Sequence, residues 1–360
     1  MRLLRSQSWP FIISQHKTGY CKEKKNILRC KQYVTKEDVD AKQTDADLRK
    51  SESEMNRLHV ISDFRKVYAN WMQVLYKLYR TRKVKDNGKI LIRVKTRDTK
   101  KTIDISWALT FLYAALKLSF ADNPRITKLS IDQNVLSFSY EGQCLYFYVG
   151  SGGDIFAPFN GEYDFLKVEG HDVIDIGANL GGSSIYFAIK GANKVISLEP
   201  YPYTFNLAKK NIEINKLNNK IELLNAGYGE DRKIIIDTSF IPNNTSPLKE
   251  VALGSEFPPS NGTETELLSL NTIISRFNLK SVVLKMDCEG CEYDLLIEDN
   301  DILKKFMVVQ IEYHYGYGKL VEKLKSCGFE VKYTEPERSF NYQAGQEMLI
   351  GYIYAKLDSK

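Results

Sequence analysis

Residues 173–200 read V-I-D-I-G-A-N-L-G-G-S-S-I-Y-F-A-I-K-G-A-N-K-V-I-S-L-E-P. Val173, Ile174 and Ile176 form a short apolar run, the pattern of a strand buried on both faces of a parallel sheet. Gly177, Gly181 and Gly182 follow at once and permit a tight turn and close backbone approach to a ligand. Ser183 to Lys190 has helical spacing, with Ile185, Phe187 and Ala188 apolar and Gly191 where a helix cap belongs. Val195, Ile196 and Leu198 predict a second strand, ending in Glu199-Pro200. The stretch therefore predicts a βαβ unit with a ligand site at the strand tips.

The chemistry of the turn selects the ligand. A dinucleotide site reads G-x-G-x-x-G and offers backbone N–H groups to a pyrophosphate. Here the glycines are spaced differently, and an acid, Asp175, lies on the strand just before them. A carboxylate there serves an anion poorly. It suits the cationic end of S-adenosylmethionine (SAM), directly or through water. Glu199 suits the two ribose hydroxyls, a feature that NAD would share, so Asp175 and the glycine spacing favour SAM. A third strand, Ile221–Leu224, ends in Asn225-Ala226-Gly227; Asn225 is placed to bond the adenine edge and Ala226 leaves room for the ring. Before the first strand, Phe156–Leu166 runs across the mouth of this site, where Tyr163 can cover the cofactor.

A second informative stretch is V-V-L-K-M-D-C-E-G-C-E-Y at 282–293. It predicts a buried strand over 281–286 with Asp287 at its tip, then Glu289, Gly290 and Glu292 leading into a helix through Leu296. The next strand, Val308–Ile311, is followed by Glu312 and then His314. Strand tips form the ligand crevice of open α/β sheets, so these acids and the histidine converge beside the cofactor. Methyl transfer to a hydroxyl needs a base, and His314 or a carboxylate can supply one. The reading assigns no metal; the alternative is that Asp287, Glu289 and His314 hold a divalent ion. Glu292 has the further reading of a first-turn acid favoured by the helix dipole.

The rest of the chain predicts a helix over 60–84, with Met72 and its aromatic neighbours in a core, and a hairpin turn at Asp86-Asn87-Gly88. A strand from Ile90, an apolar helix over 105–119 and a hairpin of Val135–Tyr140 with Cys144–Val149 follow. Downstream come a helix over Thr204–Asn215, a strand over Lys233–Ile236 and a short apolar strand at Leu267–Leu270. Residues 240–263 are too long and polar for a plain connection and predict a flexible insertion or lid. The last strands, Phe329–Tyr333 and Met348–Leu357, predict an antiparallel pair beside the parallel sheet, as SAM-dependent methyltransferases have.

Charge is uneven over the 360 residues. Residues 1–100 hold 25 Lys and Arg against 11 Asp and Glu, and the remainder is mildly acidic. The basic front is read as a solvated tail and basic helix faces, with nucleic-acid binding the lesser reading. The six cysteines form no dense framework, which favours a reducing compartment and a cytoplasmic protein. Cys288-x-x-Cys291 lies inside the acidic motif with no second such pair, and is read as packing thiols. The apolar stretch 107–120 contains Lys117 and is too short for a membrane span.

Four segments together resemble the FkbM family of SAM-dependent methyltransferases: V-I-D-I-G-A-N-L-G-G at 173–182, S-L-E-P at 197–200, L-K-M-D-C-E-G-C-E at 284–292 and Q-I-E-Y-H at 310–314. The resemblance covers about 160–355, and the K-x-D-x-E-G-x-E pattern makes it specific. It implies O-methylation of a hydroxyl, on a sugar, glycolipid or secondary metabolite. By position it places Asp175, Gly177, Asn179, Gly181, Glu199 and Asn225 at the cofactor. It places Lys285, Asp287, Glu289, Glu292, Glu312 and His314 near the reaction centre. Gly182 stands where the family often has an acid. The expected architecture is α/β: a Rossmann-like methyltransferase fold over 156–360, with a mostly parallel seven-stranded sheet and an antiparallel last strand. A small α+β module over 51–155 and a loosely ordered basic tail over 1–50 precede it. The expected partner is a small-molecule or glycan hydroxyl acceptor. The competing classes are a non-catalytic SAM-fold module that binds RNA or a partner, and an NAD-dependent sugar-modifying enzyme.

Overall fold

A computed structural model describes residues 65, 71–73, 76, 92–95, 102–105, 125–132, 135–148, 155–238, 250–251, 262–341 and 346–357. The chain divides into two compact units, 1–86 with 93–102 and 87–92 with 103–360. In the first unit, residues 65, 71–73 and 76 are helical, as the periodicity predicts. Met72 and Tyr76 are exposed, which corrects the expectation that Met72 packs in a core. Strands β1 (Ile92–Lys95) and β2 (Thr102–Ile105) are short. The tail 1–50, the turn at 86–88, residues 106–119 of the expected apolar helix and most of the 240–263 insertion lie outside the described residues, and Ile105, expected in that helix, ends β2.

The second unit opens with an antiparallel meander, β3 (Ile126–Asp132), β4 (Val135–Tyr140) and β5 (Gln143–Tyr148). Glu141 and Gly142 both take positive φ, which lets a two-residue turn follow the twist of the strands it joins. The meander presents Phe138, Tyr140 and Phe147 to Phe159, with ring centroids 5.1, 5.1 and 6.0 Å away. Phe159 is fully buried, worth about 2–3 kcal/mol by area removed from water. That anchor fixes the segment 155–166 against the body of the fold. Asp164 adds a polar tie, accepting from Arg125 and from the Tyr186 hydroxyl, each at 2.9 Å.

The main sheet comprises β6 (Asp172–Ile176), β7 (Lys194–Leu198), β8 (Ile221–Leu224), β13 (Val282–Met286), β14 (Phe306–Tyr313), β15 (Phe329–Tyr333) and β17 (Gln346–Leu357). Their order is β15-β17-β14-β13-β6-β7-β8. Pairing is parallel from β14 to β8, and β17 runs antiparallel to both β14 and β15. β16 (Glu337–Asn341) pairs with β17 and brings the sheet to eight strands. The expected seven-stranded mixed sheet is therefore present, with one added hairpin strand. Helices α1 (Gly182–Ile189), α2 (Pro202–Ile214), α3 (Leu270–Phe277), α4 (Asn300–Leu303) and α5 (Gly318–Ser326) connect the strands. The sheet strands read as continuous apolar runs because both faces are covered; all five residues of β13 are buried.

The sequence reading missed a second sheet. β9 (Ala226–Tyr228), where the sequence predicts only the tip of the third strand, pairs in parallel with β12 (Gly262–Leu268), a longer strand than the expected 267–270. β10 (Arg232–Asp237) pairs antiparallel with β12 and with β11 (Glu250–Val251). The polar alternation of Thr263, Glu264, Thr265 and Glu266 on β12 hid a strand with one solvated face. Among the described residues, no helix is long and apolar enough to cross a membrane.

Candidate functional site

The sheet register lines up the predicted residues along one edge. Ile176 pairs with Leu198 and with Met286, Leu198 with Leu224, and Met286 with Ile311. The next residue on each chain segment is Gly177, Glu199, Asp287, Asn225 and Glu312. Gly177 has φ +80, and a Cβ there would collide with the carbonyl oxygen of Asp287. Only glycine lets the β6 turn and the β13 tip approach this closely. Gly182 is less tightly held: a Cβ there would lie 3.1 Å from Ile155 Cα, so a larger residue would press on the segment before β6.

Asp175 and Lys285 sit beneath this edge rather than on it. Asp175 is fully buried and accepts from the Ser183 and Ser184 hydroxyls, both at 2.7 Å. Its other oxygen lies 3.1 Å from Lys285 Nζ. Lys285 also donates to the carbonyls of Ile176 and Gly177, at 3.1 and 2.8 Å. Burial works against the charge of Lys285, but Asp175, Asp287 and Glu162 together outweigh it, so the lysine is held above its ordinary range. Asp175 is expected from the sequence to serve the cationic end of the ligand directly or through water; its burial beneath the edge places protein groups around it instead of a direct contact. One oxygen takes both serine hydroxyls and the other faces the lysine, and the pair locks the glycine turn to β13. The ring of Tyr163 covers Lys285, with Nζ 5.8 Å from its centroid, and stands 5.5 Å from Phe187.

Glu199 is 6% exposed at the end of β7. One oxygen accepts from the Asn179 N–H at 3.0 Å, the other from the Tyr201 N–H and the Thr204 hydroxyl at 3.0 and 3.1 Å. Asn179 reaches it from a left-handed backbone, φ +49. Burial pushes Glu199 up to about 7, against the pull of these donors. A carboxylate has about four acceptor sites, so one remains for a ribose hydroxyl. Asn225 differs from its expected use: its Nδ2 donates to the carbonyls of Glu199 and Pro200, at 3.0 and 2.9 Å, and braces the β7 tip. Ala226 is buried beside it.

The acidic motif forms a tight group. β13 ends at Asp287, whose N–H donates to Ile176 O. A 3-10 turn over Cys291–Leu296 follows. Glu292 is fully buried and accepts from the His314 N–H at 2.9 Å and the Gly290 N–H at 2.8 Å, with His314 Nδ1 at 3.0 Å. It is therefore a designated partner of the histidine, not a solvated first-turn acid. His314 Nε2 faces Glu289 at 3.3 Å and Asp287 at 4.0 Å. The imidazole is buried, which opposes its charge, yet Glu289 and Glu292 hold it well above its ordinary range. Burial pushes Glu289 up to about 8, with His314 pulling the other way. Glu312 is raised well above the usual carboxylate range by burial and by the charges of Asp287 and Glu162.

Glu162 is a member that the sequence reading did not single out. One oxygen from each of Glu162, Asp287 and Glu312 lies within 4.8 Å of the others, as do ligand atoms of Asp287, Glu289 and His314. Trios with this spacing can accommodate a divalent ion. Here a buried histidine and raised carboxyl groups also give them proton-handling chemistry. Glu162 is held by Gln310, which donates to its carbonyl at 2.9 Å, and by the Tyr352 hydroxyl at 3.2 Å from its carboxylate. The available signal was the polar E-Y-D inside the otherwise apolar run 155–166.

Cys288 and Cys291 are joined by a disulfide. This corrects the reading of two packing thiols. The turn brings their Cα atoms to 5.5 Å, within the reach of the bond, a proximity that spacing alone leaves open.

Residues 175–331 match the model of the methyltransferase FkbM domain. This segment is an FkbM methyltransferase domain. The enzyme is a SAM-dependent methyltransferase. A candidate protein N5-glutamine methyltransferase of Methanocaldococcus jannaschii is 27% identical over 175 residues, 47% of this chain and 76% of that protein. An electron transfer flavoprotein beta subunit lysine methyltransferase homolog of Caenorhabditis elegans is 28% identical over 97 residues, 27% of this chain. That match spans only 40% of the relative. The crystal structure of P. horikoshii TYW2 in complex with MeSAdo aligns over 64% of this chain and 74% of its own, at 16% identity and a TM-score of 0.33.

Proposed function

We propose that this FkbM domain methylates a hydroxyl group of a sugar, glycolipid or secondary metabolite. The observation that carries the reading is the convergence of Asp287, Glu289, Glu312 and His314 beside Gly177 at the strand tips. SAM supplies an electrophilic methyl group on its sulfonium. The backbone of Gly177–Gly181 and the Glu199 carboxylate hold the adenosyl moiety, with Ala226 toward the adenine, Asn225 bracing the β7 tip and Tyr163 over the site. Asp175 and Lys285 act one layer down by fixing the turn.

The acceptor hydroxyl must lose a proton as it attacks. Asp287 is more exposed than Glu289, and the His314 ring is buried. Glu289, raised toward neutrality by burial, is suited to take that proton. Its neighbour His314 stabilises the carboxylate before transfer, and Glu292 fixes the ring. Glu162 and Glu312 face the same space and suit hydrogen bonds from further hydroxyls of the acceptor. Positioning of the two reactants supplies much of the remaining acceleration.

A second reading follows from the relatives, whose names describe glutamine and lysine methyltransferases. Under it the acceptor is a protein side-chain nitrogen, and the carboxylates bind an ammonium or amide N–H. The deciding experiment is calorimetric titration with SAM and, in parallel, NAD, followed by a methyl-transfer screen over hydroxylated sugars, glycolipids and lysine- or glutamine-containing peptides. Saturable SAM binding with transfer to hydroxyls is expected. Transfer only to peptides would replace the hydroxyl reading with the nitrogen one. Absence of SAM binding by folded protein, or full activity in Asp287→Asn and Glu289→Gln, would overturn the catalytic scheme.

A further inference from the structure

The disulfide between Cys288 and Cys291 closes a four-residue ring whose interior residues are Glu289 and Gly290. Both take positive φ, +58 and +128. A glutamate adopts left-handed backbone only where its surroundings impose it. Here the imposition is local. On one side Asp287 N–H is tied to Ile176 O. On the other, Gly290 N–H donates to Glu292, which also holds His314. The covalent bond spans the gap between these two ties. Cys288 and Cys291 are half-buried and pack against the apolar core around Met286 and Leu295, so the ring has a firm base.

We propose that the Cys288–Cys291 disulfide is a positioning device for Glu289: it holds the carboxylate at His314 Nε2, and its reduction releases Glu289 and slows methyl transfer. The inference rests on the role given to Glu289 above. In the reduction, a dithiol thiolate attacks one cysteine sulfur and breaks the S–S bond. The second thiol of the reductant resolves the mixed disulfide. Two cysteine thiols form, and the reductant leaves as its own disulfide. Enzyme activity thereby becomes sensitive to the thiol redox state around it, through a ring that the acidic motif itself carries.

The test uses the full chain purified without reductant and treated with dithiothreitol, then reoxidised. Alkylation and mass mapping report the thiols. The chain has four histidines, so the His314 ring signals are assignable by NMR against His314→Gln. Expected results are a protected 288/291 pair before reduction and a shift of the His314 ring signals after it. Amide exchange at 289–292 should rise about tenfold, as loss of a short cross-linked loop allows. Methyl transfer should fall and return on reoxidation, with SAM affinity unchanged. Cys288→Ser with Cys291→Ser should reproduce the reduced state, and Cys144→Ser should leave all signals in place. If the double variant does not fold, the reversible reduction of the native chain decides. Free thiols at both positions in the unreduced protein, or His314 signals that do not move on reduction, would overturn the proposal. A clear His314 shift in a protein whose Glu289→Gln variant is fully active would instead sink the catalytic role of Glu289, and with it the claim that reduction slows transfer.

Discussion

One carboxylate oxygen of Glu292 meets His314 twice, accepting its backbone N–H at 2.9 Å and lying 3.0 Å from its Nδ1. Both residues are buried, so the contact fixes the position of the strand end as well as the plane of the ring. Glu292→Gln keeps the shape but loses the charge that stabilises imidazolium. Expected outcomes are a loss of about 1–3 kcal/mol in unfolding free energy and a fall of about 100-fold in kcat. The KM for SAM should stay near its native value. Thermal unfolding and steady-state kinetics check both.

The pH dependence of turnover should follow Glu289. Burial places its titration at about 8, and only the ionised form accepts a proton. The rate is therefore expected to rise about tenfold per unit as pH approaches that value from below, then level. Glu289→Gln should lower the plateau by about 10²–10⁴ and abolish the rising limb. A rising limb of the same midpoint in the variant would assign it to another group.

Glu199 makes a separate prediction for stability. Burial raises it from 4.5 to about 7 in the folded chain. Between those values the native state binds a proton that the unfolded chain has lost. Its stabilising contribution is complete below the lower value and is lost as pH rises through the upper one. The slope is about −1.4 kcal/mol per pH unit for this group. Urea unfolding of Glu199→Gln against the native chain, from about pH 5 to about pH 8, isolates it: the stability of the native chain relative to the variant should fall steadily as pH rises toward about 7 and then flatten.

The Asp175–Lys285 pair is buried on both sides, with 0% and 2% side-chain exposure. Lys285→Met leaves Asp175 uncompensated and is expected to cost about 3–5 kcal/mol. Adding Asp175→Asn should recover part of that loss, since removing both charges also removes the desolvation penalty. Denaturant unfolding of the two single variants and the double gives the coupling directly.

Gly177→Ala tests the close approach of the β6 turn to Asp287. The new methyl would require the turn to move away from the β13 tip and would add strain at φ +80. A loss of about 2–4 kcal/mol is expected from overpacking and left-handed strain together. SAM binding should weaken even in preparations that remain folded, which calorimetry measures.

Much of the fold was legible because its signals are local. The apolar runs at 173–176, 195–198 and 282–286 announce buried strands, and Gly177 and Gly191 punctuate the elements between them. β9 and β12 were not legible, because Ala226–Tyr228 is too short to show a period and Gly262–Leu268 is polar on one face. The solvated face of an edge sheet carries no apolar pattern to read.

The candidate site divides in the same way. From the sequence alone came its location at the strand tips and the identity of its acids and histidine, since motif spacing within one strand–turn unit determines which residues stand at its end. Only the tertiary structure decided which of those groups are free to act. Asp175 turns inward because the Ser183 and Ser184 hydroxyls and Lys285 Nζ surround it. Glu162 joins the group because Gln310, 148 positions later, holds its backbone. Cys288 and Cys291 bond because the turn between them brings their Cα atoms to 5.5 Å. A residue's type and local period set what it can do and which face it occupies. Its protonation and partners depend on groups brought alongside by chain closure, and that juxtaposition is not written in any local pattern.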